Sequence, residues 1–335
     1  MIKEYGGFLP LELNNGEEYY TEKEYKLIRY NSIKAALCYI IKKIQPTQVY
    51  VPVFYCQSTT KLIMTCCNVK FYHVNEQLVP IDLPDDSEGI AIILVDYFGI
   101  RNSEVKTIAN RFVNATVIID EAHNFFSEPV IKKNVFNLYS AKKFFGIPDG
   151  AYLISEDLTL EEVNSQSFST SELYNDYLIT SYEKGTNAAY KSKKAADMII
   201  ADNHANMSLL AMGILKNVNY NTVKETRASN FRVLHESFIE MNALDIDTEA
   251  DYPVYHYPLM IYSNNDAVNK IRTAIISEKI YSPVLWKGEY INKYGTDIEA
   301  NLSNRLIFIP IDQRYNNDDM LYMLERIYHY INEYT

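Results

Sequence analysis

The sequence predicts an α/β protein built around a mixed, mostly parallel sheet that is covered by helices. Two observations lead to this prediction. In the first half of the chain, short apolar segments alternate with segments whose apolar residues recur at helical spacing. The apolar segments are also nearly continuous, which is typical of strands buried on both faces. Together these features favour parallel strands joined by helices that cover the sheet.

The first predicted helix lies in NSIKAALCYIIKKI, residues 31–44, and Asn31 or Ser32 caps it. Residues spaced at i, i+3, i+4, i+7 and i+8 give this segment one apolar face. The face consists of Ile33, Ala36, Leu37, Ile40 and Ile41.

Two further helices and a series of strands follow in the predicted large domain. One helix starts between Cys56 and Ser58, and the other lies in NSEVKTIANRF with Asn102 or Ser103 as its cap. The apolar segments between and after them are predicted as strands. These segments are QVYVPV, VKFYHV, IAIILVDYF, ATVIIDEA, VFNLYS and AYLIS.

The second half of the chain changes character twice. From about Leu158 to Phe238 the pattern is helical and polar. From about Asp251 strands and helices resume in VYHYPLMIY, AVNKIRTAIISEKI, RLIFIPI and DDMLYMLERIYHYINEY. We therefore predict an N-terminal arm of residues 1–25, a large domain of residues 26–235 and a smaller C-terminal α/β domain of residues 236–335.

Composition excludes several classes of function. The formal net charge of −11 argues against a protein that binds nucleic acid through a basic face. The four cysteines form no CxxC pair and the six histidines are scattered, so we expect no metal site and reduced cysteines in a cytoplasmic protein. No apolar run of about 20 residues and no signal-peptide core is present, so no membrane segment is expected.

Three polar residues lie where predicted strands end: Asp96, Asp120 and Ser140. The carboxyl ends of parallel strands meet at one edge, which is where such sheets bind ligands. A carboxylate at the end of a buried strand needs a partner. For Asp120, a protonated pyridine nitrogen, as in pyridoxal 5′-phosphate (PLP), is one such partner. A turn or a helix cap is the simpler alternative.

Two adjacent lysines, Lys142 and Lys143, follow the strand that ends at Ser140. A lysine that attacks an aldehyde must lose its proton, which apolar surroundings or a nearby cation favour. Solvated loop lysines are the alternative. The helix start at Ser32 offers free N–H groups to a phosphate, and the Ser140 hydroxyl can add to them. An ordinary N-cap is the alternative for Ser32.

In chain order, these features resemble the PLP site of fold type I enzymes, and in particular the DegT/DnrJ-type sugar aminotransferases. NSIKAAL resembles that family's SGTxAL helix start. IDEAHNFFS is similar to its Asp-x-Ala-His/Gln motif, and KFFGIPDGAYL to its lysine turn. GGFLPLEL resembles the opening of a divergent subgroup that carries a Ser-x-Arg-Lys…Pro-Asp-Gly motif. The resemblance implies a fold type I transferase with a large PLP-binding domain.

The resemblance also implies a role for each residue around the lysine. Lys143 matches the lysine that holds PLP covalently and shuttles the proton during transamination. Asp120 matches the partner of the pyridine nitrogen. His123 matches the residue near the cofactor's phenolic oxygen, although a histidine that merely opens a helix is an alternative. Lys142 matches the subgroup's arginine, a cationic neighbour that lowers the pKa of the lysine or meets the phosphate.

The implied phosphate site combines a side chain with a helix start. Ser140 matches a phosphate ligand, and Ser32 and Ile33 match the backbone cradle. The family usually has glycine where Ile33 stands and histidine where Asp96 stands.

Three further positions depart from the family. It often has an aromatic residue that stacks on the cofactor where Cys56 stands, and Tyr55 or Phe54 is expected to substitute for it. The asparagine and arginine of its N-x-R-M-S helix align with His204 and Asn206.

The function implied is a PLP-dependent aminotransferase that passes an amino group from an amino acid to a keto sugar. By family analogy, the acceptor is nucleotide-linked, the pathway is surface-polysaccharide biosynthesis, and the protein is a cytoplasmic homodimer. A PLP-dependent lyase or dehydratase is an alternative, although the family's 3-dehydratases have histidine in place of Lys143. A non-catalytic protein on a decayed fold is another alternative, suggested by Ile33, by Cys56 and by the loss of the asparagine and arginine of the N-x-R-M-S helix.

Overall fold

The structure is a computed structural model that describes residues 7–9, 11–247 and 251–335. Parts of the predicted N-terminal arm, residues 1–6 and 10, therefore lie outside the described residues. The strands are β1 (Leu27–Tyr30), β2 (Gln48–Pro52), β3 (Val69–Val74), β4 (Pro80–Ile81), β5 (Ile90–Val95), β6 (Thr116–Asp120), β7 (Val135–Ser140), β8 (Ala151–Ile154), β9 (His256–Met260) and β10 (Leu306–Pro310).

Helices separate these strands and fill the region between β8 and β9. They are α1 (Ile33–Ile44), α2 (Gln57–Cys66), α3 (Asn102–Arg111), α4 (Leu160–Asn164), α5 (Asp176–Lys184), α6 (Thr186–Asp202), α7 (Leu209–Leu215), α8 (Tyr220–Phe238), α9 (Asn265–Ser277), α10 (Glu289–Tyr294), α11 (Asp297–Arg305) and α12 (Asn317–Tyr334). No helix in the described part of the chain is both long enough and apolar enough to cross a membrane.

The larger sheet has the strand order β1-β8-β7-β6-β5-β2-β3-β4. Its central strands, from β7 through β6, β5 and β2 to β3, run parallel. β8 is antiparallel to both of its neighbours, and β4 is antiparallel to β3. A separate antiparallel pair joins β9 to β10. The prediction of a mixed, mostly parallel sheet covered by helices is confirmed.

Helix α1 confirms the first predicted element. Ser32 is its N-cap, and the Ser32 hydroxyl accepts the Ala35 N–H at 3.2 Å. Of the predicted apolar face, Ile33 is half-buried and the other residues are buried. The helix packs against β7 and β8, which places its start beside the end of β7.

The predicted end of β5 and the predicted cap of α3 need correction. The strand stops at Val95 because a 3-10 turn, Tyr97–Gly99, follows Asp96. The Asp96 carboxylate accepts the Arg101 N–H at 2.9 Å and so closes the turn. Asn102 is therefore inside α3 rather than its cap, and its side chain donates to Asp96 at 3.2 Å.

Helix α8 packs against β9 of the smaller β9–β10 sheet, and α12 packs against both α8 and α9. The predicted boundary between residues 235 and 236 falls within α8, which runs from Tyr220 to Phe238. The division into an arm and two domains stays a prediction.

Candidate active site

A cavity of about 480 Å³ lies at the carboxyl ends of β5, β6 and β7. Its size falls within the range of small-molecule sites, about 300–1,000 Å³. The structure brings eight of the residues predicted for the site together in its wall. These residues are Ser32, Ile33, Tyr55, Cys56, Asp120, His123, Ser140 and Lys143.

Asp120 is the last residue of β6, and its carboxylate is fixed by two donors. The Tyr55 hydroxyl donates to Oδ2 at 2.5 Å, and the Ala122 N–H donates to Oδ1 at 2.9 Å. Asp120 is only 6% exposed. Burial and the Asp120 charge raise the pKa of Tyr55 well above 10.0, so Tyr55 stays a donor at neutral pH. The carboxylate is thus held in one orientation at the cavity wall.

Lys143 closes the 3-10 turn Ala141–Lys143, directly after β7. Its side chain is half-buried, and Nζ lies 5.6 Å from the centre of the Tyr255 ring. Burial lowers the pKa of Lys143 below 10.5, while the charges of Asp120 and Cys56 act in the opposite direction. The amine therefore loses its proton more readily than an exposed lysine does.

Backbone hydrogen bonds tie the lysine turn to the start of α1. The Lys142 N–H donates to the Gly150 carbonyl at 3.2 Å, and the Gly150 N–H donates to the Asn31 carbonyl at 3.1 Å. Gly150 has φ 143°, which favours glycine at this point. The buried Asp149 carboxylate accepts the Ser208 N–H at 2.9 Å. The Pro-Asp-Gly segment thus fixes Lys143 relative to the helix start.

Lys142 also lines the cavity, but its amine is paired with an acidic side chain. Its Nζ donates to Asp197 at 3.0 Å and lies 5.6 Å from the centre of the Tyr177 ring. The groups that shift the pKa of Lys143 do not include Lys142. The prediction that Lys142 lowers the pKa of Lys143 is wrong, because burial is what lowers that pKa. A contact between Lys142 and phosphate stays a prediction.

His123 lies among three aromatic rings that are nearly parallel to its own. The ring centres of Phe98, Tyr255 and Trp286 lie 5.6, 5.6 and 5.7 Å from that of His123, with interplanar angles of 14–16°. Burial lowers the pKa of His123 well below 6.5, and the Lys143 charge adds to the effect. The imidazole is therefore neutral at physiological pH and offers a flat surface to the cavity.

The start of α1 and the end of β7 supply groups suited to an anion. The N–H groups of Ile33 and Lys34 open the helix and so lack intrahelical acceptors. The Ser140 hydroxyl forms no hydrogen bond with any residue that the structure describes. The Ser32 hydroxyl is already engaged, because it caps the helix and donates to Asn31 Oδ1 at 3.1 Å.

Cys56 is the N-cap residue of α2 and carries an acidified thiol. Burial raises its pKa, but hydrogen bonds with Ser58 and Thr59 and the charge of Lys143 outweigh this effect. The pKa of the thiol therefore lies below 9.0. The Sγ atom lies 3.3 Å from the Ser58 hydroxyl oxygen.

Asp96, the third predicted strand-end residue, lines the cavity but is committed to the scaffold. It accepts hydrogen bonds from the Arg101 backbone and from the side chains of Asn102 and Asn124. The neighbouring Glu121 is fully buried, and burial together with the Asp96 charge raises its pKa well above 4.5. Burial raises the pKa of Asp96 as well, so the two neighbouring carboxyl groups hold a proton to higher pH than exposed acids do.

Sequence reasoning missed several residues of the cavity wall. Lys34, Asp197 and the segment Val284–Trp286 also line it. The late segment carried no pattern that could have predicted this position, since its contacts are with residues far away along the chain. By contrast, neither His204 nor Asn206 lines the cavity.

No protein-family model matches the chain, and no curated protein matches it in sequence. Solved structures do resemble it. A protein of Streptococcus pneumoniae named as a sugar aminotransferase, in its PMP form, is 15% identical with a TM-score of 0.62, over 92% of this chain and 88% of its own. A DegT/DnrJ/EryC1/StrS aminotransferase from Brucella abortus is 14% identical with a TM-score of 0.58, over 91% and 85%.

A sugar aminotransferase from Micromonospora echinospora is 13% identical with a TM-score of 0.59, over 90% of this chain and 86% of its own. Such identities carry an argument about the fold alone. The resemblance that the motifs indicate is confirmed at that level, while the divergent subgroup stays a prediction. The chain has the fold of the sugar aminotransferases of the DegT/DnrJ/EryC1/StrS type, a fold type I PLP-transferase architecture.

Proposed function

We propose that this chain is a PLP-dependent aminotransferase in which Lys143 holds the cofactor. One observation carries the proposal above the rest. A half-buried amine with a lowered pKa and a carboxylate fixed by two donors, Lys143 and Asp120, open into the same cavity at the strand ends. That combination is what PLP chemistry requires of a protein.

The residues present fit PLP. The fixed Asp120 carboxylate can accept a hydrogen bond from a protonated ring nitrogen. The neutral His123 ring and its aromatic neighbours offer a flat surface to a flat ring. The Ser140 hydroxyl and the N–H groups at the start of α1 can hold a phosphate. Ile33 leaves this backbone contact available, because only its N–H is needed.

When bound, PLP supplies an aldehyde that captures amines and a ring that withdraws electrons. Lys143 Nζ attacks an aldehyde only as the neutral amine, and burial increases the neutral fraction. With a substrate bound, the Lys143 amine would be the group that takes a proton from one carbon and returns it to another. Asp120 provides a fixed negative charge that stabilises a protonated ring nitrogen without reorganisation.

For the substrates, we propose an amino-acid donor and a keto-sugar acceptor, as for the sugar aminotransferases that share the fold. By the motif resemblance, the acceptor is nucleotide-linked and belongs to surface-polysaccharide biosynthesis, and the protein is a homodimer. A cytoplasmic location fits the four cysteines, which are all free thiols.

The test is covalent capture of the cofactor. Purified protein is incubated with PLP, reduced with borohydride, digested and analysed by mass spectrometry. The phosphopyridoxyl group is expected on Lys143, and Lys143→Ala is expected to lose both the adduct and the visible absorbance. An adduct on Lys142 would show that the register is wrong. Absence of any adduct would refute the proposal.

A second measurement separates transamination from elimination. Glutamate or another amino donor is added to the PLP-loaded protein, and the absorbance is followed as the cofactor changes to its PMP form. Conversion that a keto acid reverses supports transamination. If no donor converts the cofactor, a lyase or dehydratase reaction becomes the better assignment.

A further inference from the structure

The segment Val284–Trp286 reaches the cavity from the C-terminal part of the chain, between α9 and α10. Trp286 is the single tryptophan of the sequence, and it adopts φ 56°. A bulky residue in this left-handed region is an outlier that persists only where its surroundings fix it. Such outliers concentrate at ligand sites, so the position of the indole deserves a functional explanation.

Aromatic contacts fix the indole from several sides. Its ring centre lies 4.9 Å from that of Phe54 and 5.6 Å from that of Tyr97, and both pairs are in edge-to-face orientation. It stacks within 15° on Phe98 and His123, at 5.7 Å from each. Phe98 is also left-handed, with φ 59°. Two strained aromatic residues thus meet at His123.

The backbone after Trp286 is pressed against the start of α2. Gly288 has φ 144°, and a Cβ at this position would lie too close to Gln57 Nε2, so the Gln57 side chain would have to shift. Gln57 directly follows Cys56, the position where the family's stacking residue is expected. The segment therefore places an aromatic ring near Cys56, the position at which the family often has an aromatic residue and this sequence does not.

Of the two substitutes expected from the sequence, Tyr55 lines the cavity but is only 3% exposed, and Phe54 does not line it. Tyr55 directs its hydroxyl at Asp120, and Phe54 is fully buried. Trp286 does line the cavity and is half-buried.

We propose that Trp286 is a ligand-contacting residue of this site and supplies, from the far end of the chain, the aromatic surface that Cys56 lacks. This inference rests on the proposed function, since a flat aromatic aldehyde such as PLP is the ligand that such a surface suits. An indole face suits a flat aromatic ring because offset ring pairs add to the gain from burial.

The test measures PLP affinity and tryptophan accessibility in the full chain. PLP binding is followed by visible absorbance in wild type, Trp286→Leu, Trp286→Phe and Lys287→Ala, with thermal melting of each cofactor-free variant as a check on folding. Lys287 is an exposed neighbour that does not line the cavity, so its variant is the matched control. In wild type, acrylamide quenching of the single tryptophan is measured before and after loading and borohydride reduction.

Trp286→Leu is expected to weaken PLP binding by about threefold to tenfold. Trp286→Phe is expected to restore most of it, and Lys287→Ala to leave it unchanged. Bound PLP is expected to shield the indole from acrylamide. If the visible absorbance forms but affinity is insensitive to Trp286→Leu, or shielding is absent, this inference fails while the proposed function stands. If no absorbance forms with wild type, both fail.

Discussion

Removing one hydroxyl group, by Tyr55→Phe, tests whether the Asp120 carboxylate is held as the structure indicates. The phenol oxygen lies 2.5 Å from Asp120 Oδ2, and Tyr55 is only 3% exposed. Phenylalanine keeps the ring and its contacts, so the substitution removes little besides the hydrogen bond.

The expected cost follows from the charge on the acceptor. A hydrogen bond to a charged group contributes about 1.5–3 kcal/mol, against about 0.5–1.5 kcal/mol for a neutral pair. Tyr97 provides a matched comparison, because its equally buried hydroxyl donates to the neutral Phe54 carbonyl at 2.7 Å. Tyr55→Phe is therefore expected to lower the free energy of unfolding about twice as much as Tyr97→Phe does.

The assay is urea denaturation of the cofactor-free protein, with the three chains compared at one pH. Both variants are expected to lower the midpoint and leave the slope with urea unchanged, since neither changes the surface exposed on unfolding. A cost for Tyr55→Phe equal to or below that for Tyr97→Phe would refute the idea that Tyr55 donates to an ionised Asp120.

The remaining predictions concern the lysine, the buried acid pair and the anion-facing groups. Because burial lowers the pKa of Lys143 below 10.5, the rate at which Lys143 captures PLP is expected to rise with pH and to level off below pH 10.5. Stopped-flow absorbance measures this rate at each pH. A rate that levels off only above pH 10.5 would contradict the prediction. The raised pKa of Glu121 means that the folded state keeps a proton that the unfolded chain loses as pH rises above 4.5. The free energy of unfolding of wild type is therefore expected to fall relative to that of Glu121→Gln over this pH range. Urea denaturation across pH checks this, and a constant difference would argue against a protonated Glu121 beside Asp96. Ser140→Ala is expected to weaken PLP binding about threefold to tenfold without changing the free energy of unfolding. Ser32→Ala removes the N-cap of α1 and is therefore expected to lower the free energy of unfolding by about 1 kcal/mol. Calorimetric titration and urea denaturation distinguish the two serines, and equal stability losses would contradict the assignment.

The large sheet could be predicted because its signals are local. VFNLYS is apolar and bounded by polar residues, and β7 occupies the same span, Val135–Ser140. The predicted end of the strand in IAIILVDYF is wrong, because nothing in this apolar segment reveals that the chain turns at Asp96. There the Asp96 carboxylate accepts a hydrogen bond from the Arg101 N–H. Side-chain bonds of this kind end a strand without a glycine or proline to mark the place.

The candidate site could be predicted as a group but not in its interactions. Strand-end residues of a parallel sheet meet at one edge, so Asp120 and Ser140 had to approach each other once the strands were assigned. The bond between Tyr55 and Asp120 spans 65 positions and depends on side-chain geometry that no local pattern encodes. Likewise, two adjacent lysines gave no sign that Lys142 would turn to Asp197.

The energetics of Trp286 explain why the late segment belongs to the site. A left-handed bulky residue costs about 1–3 kcal/mol. Near-parallel contacts contribute about 0.5–1.5 kcal/mol each beyond burial, and Trp286 has two, with Phe98 and His123. Together with the edge-to-face contacts to Phe54 and Tyr97, these contacts are large enough to offset the strain. The strained backbone at Trp286 is therefore part of the cavity wall. A substitution that removes the contact of Trp286 with Phe98 or with His123 is expected to change the shape of the cavity before it changes the chemistry at Lys143.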